Sequence, residues 1–220
     1  DPGSDTPSIT GGLTITNFTA GFTIQGLYFH TDTESTLDFV NNKGTIKIID
    51  TELSDSYKNG LSISNHTGAV ELNRVSVHNN KWYGVSIDNC GTGATCAATG
   101  TVKITNSAIY TNGGGVGGAD YTYGGLRIQS GSPIVINGLS VTTSKGNGAA
   151  ILSKGALSIK NSAFTDSEAL GLPVDDGAGL YVLPGTTGSI TLDNVLLRGN
   201  DGSGIWIETS GNVTIRKVQS

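Results

Sequence analysis

A repeat of about 24 residues is the feature that most constrains the fold of this chain. A Gly-apolar-x-apolar motif starts at positions 12, 60, 84, 125, 148, 179 and 204, and Thr36 starts an equivalent segment between the first two. The starts at 12, 36, 60 and 84 are each 24 residues apart. When similar strands recur in one direction at a constant period, the chain has to coil, and each turn adds one strand to every sheet.

Each repeat contains three short segments, which we call strands C, A and B in chain order. Strand C is the motif itself, strand A is exemplified by Ile46-Lys47-Ile48, and strand B is marked by an apolar residue five positions later, such as Leu53. All three alternate apolar and polar residues, which is typical of strands with one buried face, and no helical period is present. The sequence therefore predicts an all-β, single-stranded parallel β-helix over residues 12–220. We expect about eight coils, three parallel sheets and an extended tail over residues 1–11.

Charge and cysteine content limit the partners and the compartment. The net charge is −5, so electrostatics give no reason to expect nucleic acid, and no apolar run approaches the roughly 20 residues of a membrane helix. Cys90 and Cys96 do not have the two-residue gap of a redox or zinc pair. We expect a local disulfide across a glycine-rich loop, which implies an oxidising compartment and an extracellular or cell-surface location. Two free thiols in a reducing cytosol are the alternative.

The strand C motif and a polar corner after strand A resemble the right-handed parallel β-helix, or pectate-lyase-like, superfamily. The resemblance implies right-handed coiling and a ladder of asparagines at this corner. We expect the glycine before each strand C to serve a tight corner with positive φ. The corner carries Asp50, Asn106, Asn161 and Asn194, and the column is interrupted by Arg74, Gly138 and Lys217.

No catalytic constellation emerges from the sequence. Many members of the superfamily act on acidic polysaccharides, but the Asn-Thr-Asp, Gly-His-Gly and Arg-Ile-Lys motifs of its hydrolases are absent here. Asp175 and Asp176 are weak candidates for calcium ligands, and a solvated acidic loop is the preferred interpretation. We therefore expect no enzyme activity, no metal and no cofactor, and we expect the three histidines to lie on the surface.

Two aromatic residues and the two ends of the solenoid are the candidate interaction sites. Tyr181 and Trp206 are predicted on adjacent rungs of the outer face of sheet C, where they could bind sugar rings, contact a protein or pack locally. The ends carry no recognisable cap, and the chain is expected to enter on strand C and leave on strand A. The candidate self-association residues are Gly12, Leu13 and Ile15 at one end and Val213, Ile215 and Val218 at the other.

The sequence thus favours an extracellular structural protein that assembles head to tail into a filament or surface fibre. One alternative is a fragment of a longer β-helix adhesin. The other is a polysaccharide lyase, a hydrolase or a carbohydrate-binding module with glycans as partners.

Overall fold

A computed structural model describes residues 7–90, 96, 100–114, 123–170 and 177–220. Within these residues the chain forms parallel strands and no helix. Sheet C contains eight strands, one for each coil. They are β2 (Leu13–Thr16), β5 (Leu37–Val40), β8 (Leu61–Ser64), β11 (Tyr83–Asp88), β14 (Gly124–Ser130), β17 (Asn147–Ser153), β19 (Leu180–Thr186) and β21 (Ile205–Thr209).

Strands A and B alternate along the other side of the solenoid. Strand A is formed by β3 (Phe22–Gln25), β6 (Ile46–Ile49), β9 (Val70–Asn73), β12 (Val102–Thr105) and β15 (Ile134–Asn137). Strand B is formed by β1 (Ser8–Thr10), β4 (Tyr28–His30), β7 (Glu52–Ser54), β10 (Ser76–His78), β13 (Ala108–Tyr110) and β16 (Ser140–Thr142). In the later coils A and B run into one another as β18 (Leu157–Thr165), β20 (Ile190–Arg198) and β22 (Val213–Gln219).

The predicted fold is confirmed, with one refinement in the number of separate sheets. Three strand columns exist, but the continuous β18, β20 and β22 join A and B into one 14-stranded sheet. Equivalent positions of the repeats pair in register, since Lys47 pairs with Glu71 and Glu71 pairs with Lys103 on successive rungs. The Lys47 and Glu71 side chains form an ion pair of 3.2 Å between Nζ and Oε2.

The core is a stack of inward-facing aliphatic side chains, one layer for each coil. Ile48, Leu61, Ile104 and Leu126 are each 0% exposed, and their inward-facing apolar neighbours in the middle coils are at most 2% exposed. Burial of a Leu or Ile side chain contributes about 1.5–3 kcal/mol, so this continuous column provides most of the driving force for coiling. The strands are short because each strand contributes only two or three inward-facing side chains to the core.

The corner between strands A and B is made by one residue in the left-handed conformation in every coil. Asp50, Arg74, Asn106 and Lys217 have φ values of 50°, 53°, 48° and 50°. The residues that interrupt the asparagine column therefore keep its backbone conformation. Arg74 pairs with Asp50 through Nε–Oδ1 and Nη2–Oδ2 contacts of 2.5 and 2.9 Å, and these hydrogen bonds hold the pKa of Asp50 below its usual value.

The predicted tail over residues 1–11 ends earlier than expected. Ser8–Thr10 forms β1 and pairs in parallel with β4, so the described chain enters the solenoid on strand B and not on strand C. This strand escaped prediction because its three residues carry a single apolar side chain, Ile9, which is too short a pattern to show alternation.

The positive φ predicted for the glycines before strand C is also wrong. Gly60, Gly84 and Gly125 are absent from the positive-φ residues of the described chain. Instead, a Cβ at Gly84 would lie against the Ile109 side chain and 2.7 Å from the Asn112 amide nitrogen. Glycine is required at this position because strand B and its polar corner pack directly against the backbone.

Candidate functional site

The two cysteines form the predicted disulfide. Cys90 follows β11 and is bonded to Cys96, so the bridge closes a loop at the corner between strands C and A of one coil. The backbone N–H of Cys90 donates to Asp88 Oδ1 at 3.1 Å. A disulfide of this kind is typical of proteins from oxidising compartments.

A buried polar column fills the corner between strands B and C. Asn112 donates from Nδ2 to the carbonyl oxygens of Val77 and Tyr110 at 3.1 and 2.9 Å, and its Oδ1 accepts from the backbone and side chain of Asn80. Buried amides need such partners because an unpaired polar group in a core costs about 1–3 kcal/mol. The column consists of Ser56, Asn80, Asn112, Ser144, Ser167 and Asn200, each two residues after the end of strand B.

This second ladder was missed by sequence reasoning, which identified only the corner after strand A. A signal was present, since Asn or Ser recurs three residues after the buried apolar residue of strand B in six coils. At the predicted corner the ladder is shorter. Asn161 donates to Asn137 Oδ1 at 2.8 Å and Asn194 donates to Asn161 Oδ1 at 2.9 Å, and both pairs are exposed.

The predicted surface location is wrong for His66. Its side chain is 0% exposed and occupies a polar column at the corner between strands C and A, where Asn42 and Asn89 lie on the neighbouring coils. The His66 backbone N–H donates to Asn89 Oδ1 at 3.0 Å, and burial lowers the pKa of the imidazole. A histidine can replace asparagine here because the neutral ring also presents one donor and one acceptor.

His30 and His78 share one column of strand B, with Ser54 between them. His78 lies 2.9 Å from Glu52 Oε1 through Nε2 and stacks on Tyr110 with ring centroids 4.7 Å apart. His30 Nε2 lies 3.0 Å from the Thr10 hydroxyl. The described residues contain no group of three or more His, Cys, Asp or Glu side chains that could hold a metal ion. Asp175 and Asp176 lie outside the described residues.

Tyr181 and Trp206 are paired on adjacent strands of sheet C, as the register predicts. Their rings meet edge to face with centroids 6.4 Å apart. Trp206 Nε1 donates to Glu208 Oε1 at 2.9 Å, and the Tyr181 hydroxyl lies 3.5 Å from the same oxygen. The indole of Trp206 is 40% exposed. The two rings and the Glu208 carboxylate thus form one contact group on the outer face of sheet C.

The two end rungs of the described solenoid leave inward-facing side chains partly uncovered. Val213 and Ile215 are 41% and 51% exposed, although they continue columns that are buried in every middle coil. Leu13 and Ile15 at the opposite end are half-buried, as is Val218, and Gly12 is exposed. On both end rungs one row of backbone donors and acceptors has no strand beside it within the described residues.

A shallow hollow of about 300 Å³ lies outside the corner between strands A and B of the last coils. Its amides are already engaged, since Asn161 and Asn194 bond to one another along the ladder. Ser140, Lys217 and Gln219 also line the hollow. Among the described residues there is also no helix long and apolar enough to span a membrane.

The coil geometry defines a parallel β-helix, and comparison with known families gives the same class. Residues 39–219 match the family described as right-handed β-helix region, and the chain belongs to this family. The match also establishes the right-handed coiling that the resemblance implied. No curated protein and no solved structure matches the chain.

Proposed function

We propose that this chain is an extracellular structural protein, without catalytic activity, whose copies stack head to tail into a fibre. The supporting observation is the contrast in burial along single columns of the core. Ile104 is 0% exposed, whereas Ile215, at the equivalent position of the last coil, is 51% exposed. Apolar columns that stop at an uncovered rung favour the addition of another rung.

The register of the internal coils specifies how strands C and A of a second copy would fit. In strand B, β1 already covers β4 and lies at the position that Gln219 of the other copy would take, so stacking requires Ser8–Thr10 to separate from β4. With the same register, Leu13 and Ile15 of one copy stack on Ile205 and Ile207 of another. In the same way, Phe22 stacks on Val213 and extends the A column. The outward neighbours brought together in sheets C and A are Thr14 with Trp206 and Thr23 with Thr214, so this register opposes no like charges there. Such an interface is heterologous and does not close, which favours a filament.

The disulfide supports the extracellular part of the proposal. A bond between Cys90 and Cys96 persists in an oxidising compartment and is rare in a reducing cytosol. The end faces would equally accept further coils of a longer polypeptide, in which case the domain would be one segment of a β-helix adhesin. The exposed apolar columns support both arrangements, and experiment separates them.

Electron microscopy and sedimentation velocity of the purified chain over a range of concentrations test the proposal. We expect particle length and sedimentation coefficient to rise with concentration. Ile215→Lys should abolish the association, because it places a charge in the stacked core. Val135→Lys is the matched control, since Val135 is 36% exposed on the outer face of the same sheet and should leave association unchanged.

Monomers at every concentration would contradict head-to-tail assembly. So would further Gly-apolar-x-apolar motifs beyond Ser220 in the source reading frame, because coils of the same polypeptide would then cover that face. Equal effects of Ile215→Lys and Val135→Lys would show that association uses the sides of the rod and not its ends.

A further inference from the structure

Strand β1 covers only part of the solenoid end on which it lies. Ile9 of β1 pairs with Phe29 of β4, and Phe29 is 1% exposed while Ile9 is 40% exposed. On the same end, Leu13 and Ile15 of strand C and Phe22 of strand A remain partly exposed. A complete cap would cover all three strand columns. β1 covers one of them, so it needs a different explanation.

β1 is held from one side. Within the described residues its other edge has no strand beside it, whereas β10, an inner strand of the same column, pairs with both β7 and β13. The Tyr28 N–H donates to the Pro7 carbonyl at 3.0 Å, and the Gly11 N–H donates to the His30 carbonyl at 2.8 Å. The Thr10 hydroxyl lies 3.0 Å from His30 Nε2. Separation of β1 therefore breaks one strand interface, and separation of an inner strand breaks two.

A glycine joins β1 to the rest of the solenoid. Gly11 lies between β1 and β2 and has a φ of 106°, a conformation that residues with a side chain rarely adopt. A Cβ at Gly11 would meet nothing within 4 Å in the described chain apart from its own neighbours in sequence. Hinges are residues at the ends of elements that absorb changes in φ and ψ. β1 can therefore turn away about Gly11 while β2 stays in sheet C.

The position of β1 is also the position that the end of β22 would take in a stacked copy. Gln219 pairs with Leu196 of β20, just as Ser8 pairs with Tyr28 of β4 at the opposite end. All four residues belong to one column of strand B, which continues from β4 through the inner coils to β20. β1 and the end of β22 from a second copy therefore compete for one edge of β4.

We propose that β1 is a displaceable strand that closes the edge of β4, and that β22 of a second copy replaces it when two rods stack. The inference rests on the head-to-tail assembly proposed above and adds how that assembly is controlled. In the closed form the chain covers its own edge, and in the open form the edge accepts the last coil of another copy. The apparent Kd of stacking is then the intrinsic Kd divided by the open fraction. β1 thereby sets the concentration at which fibres begin to grow.

Two engineered disulfides test this control in the full chain. Thr10→Cys with His30→Cys forms a β1–β4 bridge, because the two positions are paired and parallel strands lie about 4.8 Å apart, within the Cα range of disulfides. His30→Cys with Ser54→Cys forms a β4–β7 bridge one rung further in, which is the matched control because it leaves β1 free. In sedimentation velocity, the β1–β4 bridge should prevent association and the β4–β7 bridge should not. Peptide mass spectrometry verifies both bridges.

Ile9→Asp tests the opposite direction. The substitution places a charge over Phe29 and favours the open form, in which residue 9 no longer lies at the interface. We expect the concentration of half-maximal association to fall about tenfold. Ile9→Leu, which keeps the apolar contact, should leave it unchanged. Circular dichroism should show the same β spectrum for both variants.

Hydrogen exchange of the dilute monomer measures the opening of β1 separately from association. The Tyr28 N–H bonds to the Pro7 carbonyl, and the Ser76 N–H bonds to the Thr51 carbonyl at the equivalent place of an inner coil. The Tyr28 amide should exchange at least about tenfold faster than the Ser76 amide, and the β1–β4 bridge should slow it.

Three results would overturn the proposal. Equal association of the two bridged variants would show that β1 need not leave, while head-to-tail assembly itself would stand. Equal exchange of the Tyr28 and Ser76 amides would show that β1 does not open. If the chain and its Ile9→Asp variant stay monomeric at every concentration, head-to-tail assembly fails, and β1 is a fixed strand of the monomer.

Discussion

The middle and the last coil of this solenoid use the same positions with different consequences. Ile104 and Ile215 occupy one column, as do Asn112 and Asn200, yet the first member of each pair is covered by coils on both sides and the second is not. Each rung is therefore stabilised mainly by its neighbours, and its own sequence determines mostly how well it stacks. Stability in such a protein is a sum over interfaces between rungs.

The comparison is tested most strongly by core truncation. Ile104→Ala should lower the free energy of unfolding by about 2–5 kcal/mol, because it opens a cavity between two covered layers. Ile215→Ala should cost less than about 1 kcal/mol, since half of its side chain is already in water. Urea titration followed by circular dichroism measures both, at a protein concentration where the chain is monomeric. Equal losses would refute the view that neighbours determine stability.

Truncation of the polar ladder is expected to have the next largest effect. Asn112→Ala leaves the Val77 and Tyr110 carbonyls and the Asn80 backbone N–H without their partner and should cost about 3 kcal/mol. Asn200→Ala should cost about 1 kcal/mol, because Asn200 makes two such bonds and is half-buried. The same urea titrations apply, and Asn112→Asp tests whether shape without the donor is sufficient. A larger loss for Asn200 would contradict the ladder model.

The glycines before strand C provide a third comparison between a middle coil and the last coil, with Gly125 in the middle and Gly204 in the last. A Cβ at Gly125 would lie against Val141 and 2.7 Å from the Gly148 carbonyl oxygen, so Gly125→Ala should destabilise the protein by about 1–3 kcal/mol. At Gly204 the nearest atoms are 3.5 Å away, and Gly204→Ala should be neutral or stabilise by about 0.4–1 kcal/mol. Thermal unfolding of the two variants gives the sign directly. Destabilisation by Gly204→Ala would show that the last coil is as tightly packed as the middle.

Substitution of His66 is expected to change the free energy of unfolding least at neutral pH. Because burial lowers the pKa of folded His66, the unfolded chain binds a proton more readily. The contribution of neutral His66 is complete above about pH 6.5 and is lost as the pH falls from there through the folded pKa. His66→Asn, which copies Asn42 and Asn89, should flatten the dependence of the unfolding free energy on pH in this window. An unchanged slope would mean that other groups control it.

The regular part of the fold was predictable because a fixed period encodes it directly. Strands such as Leu61–Ser64 and Val70–Asn73 are short, but eight repeats of one alternation define both their existence and their register. The juxtaposition of Tyr181 with Trp206 followed from the same register, and the pairing of Cys90 with Cys96 followed from the six-residue separation of the two cysteines. These features depend on local spacing, which a sequence contains explicitly.

Features that depend on packing between coils could not be predicted in the same way. The role of Gly84 is visible only when the Ile109 side chain and the Asn112 amide are placed beside it. Burial of His66 follows from its ladder neighbours, and a histidine alone is more often a surface residue.

The position of the disulfide has a mechanical consequence. The inter-coil hydrogen bonds lie along the axis of the rod, so a pull on its two ends loads successive coils in series. The bridge between Cys90 and Cys96 lies within one coil and joins no rung to the next. The bridge therefore shortens the length of chain that is freed when this coil unfolds. It does not hold any other coil, so each of the others can unfold separately under force. When a coil of 24 residues without a bridge unfolds, it extends to roughly 80 Å of chain. Such a rod would therefore lengthen in steps under force.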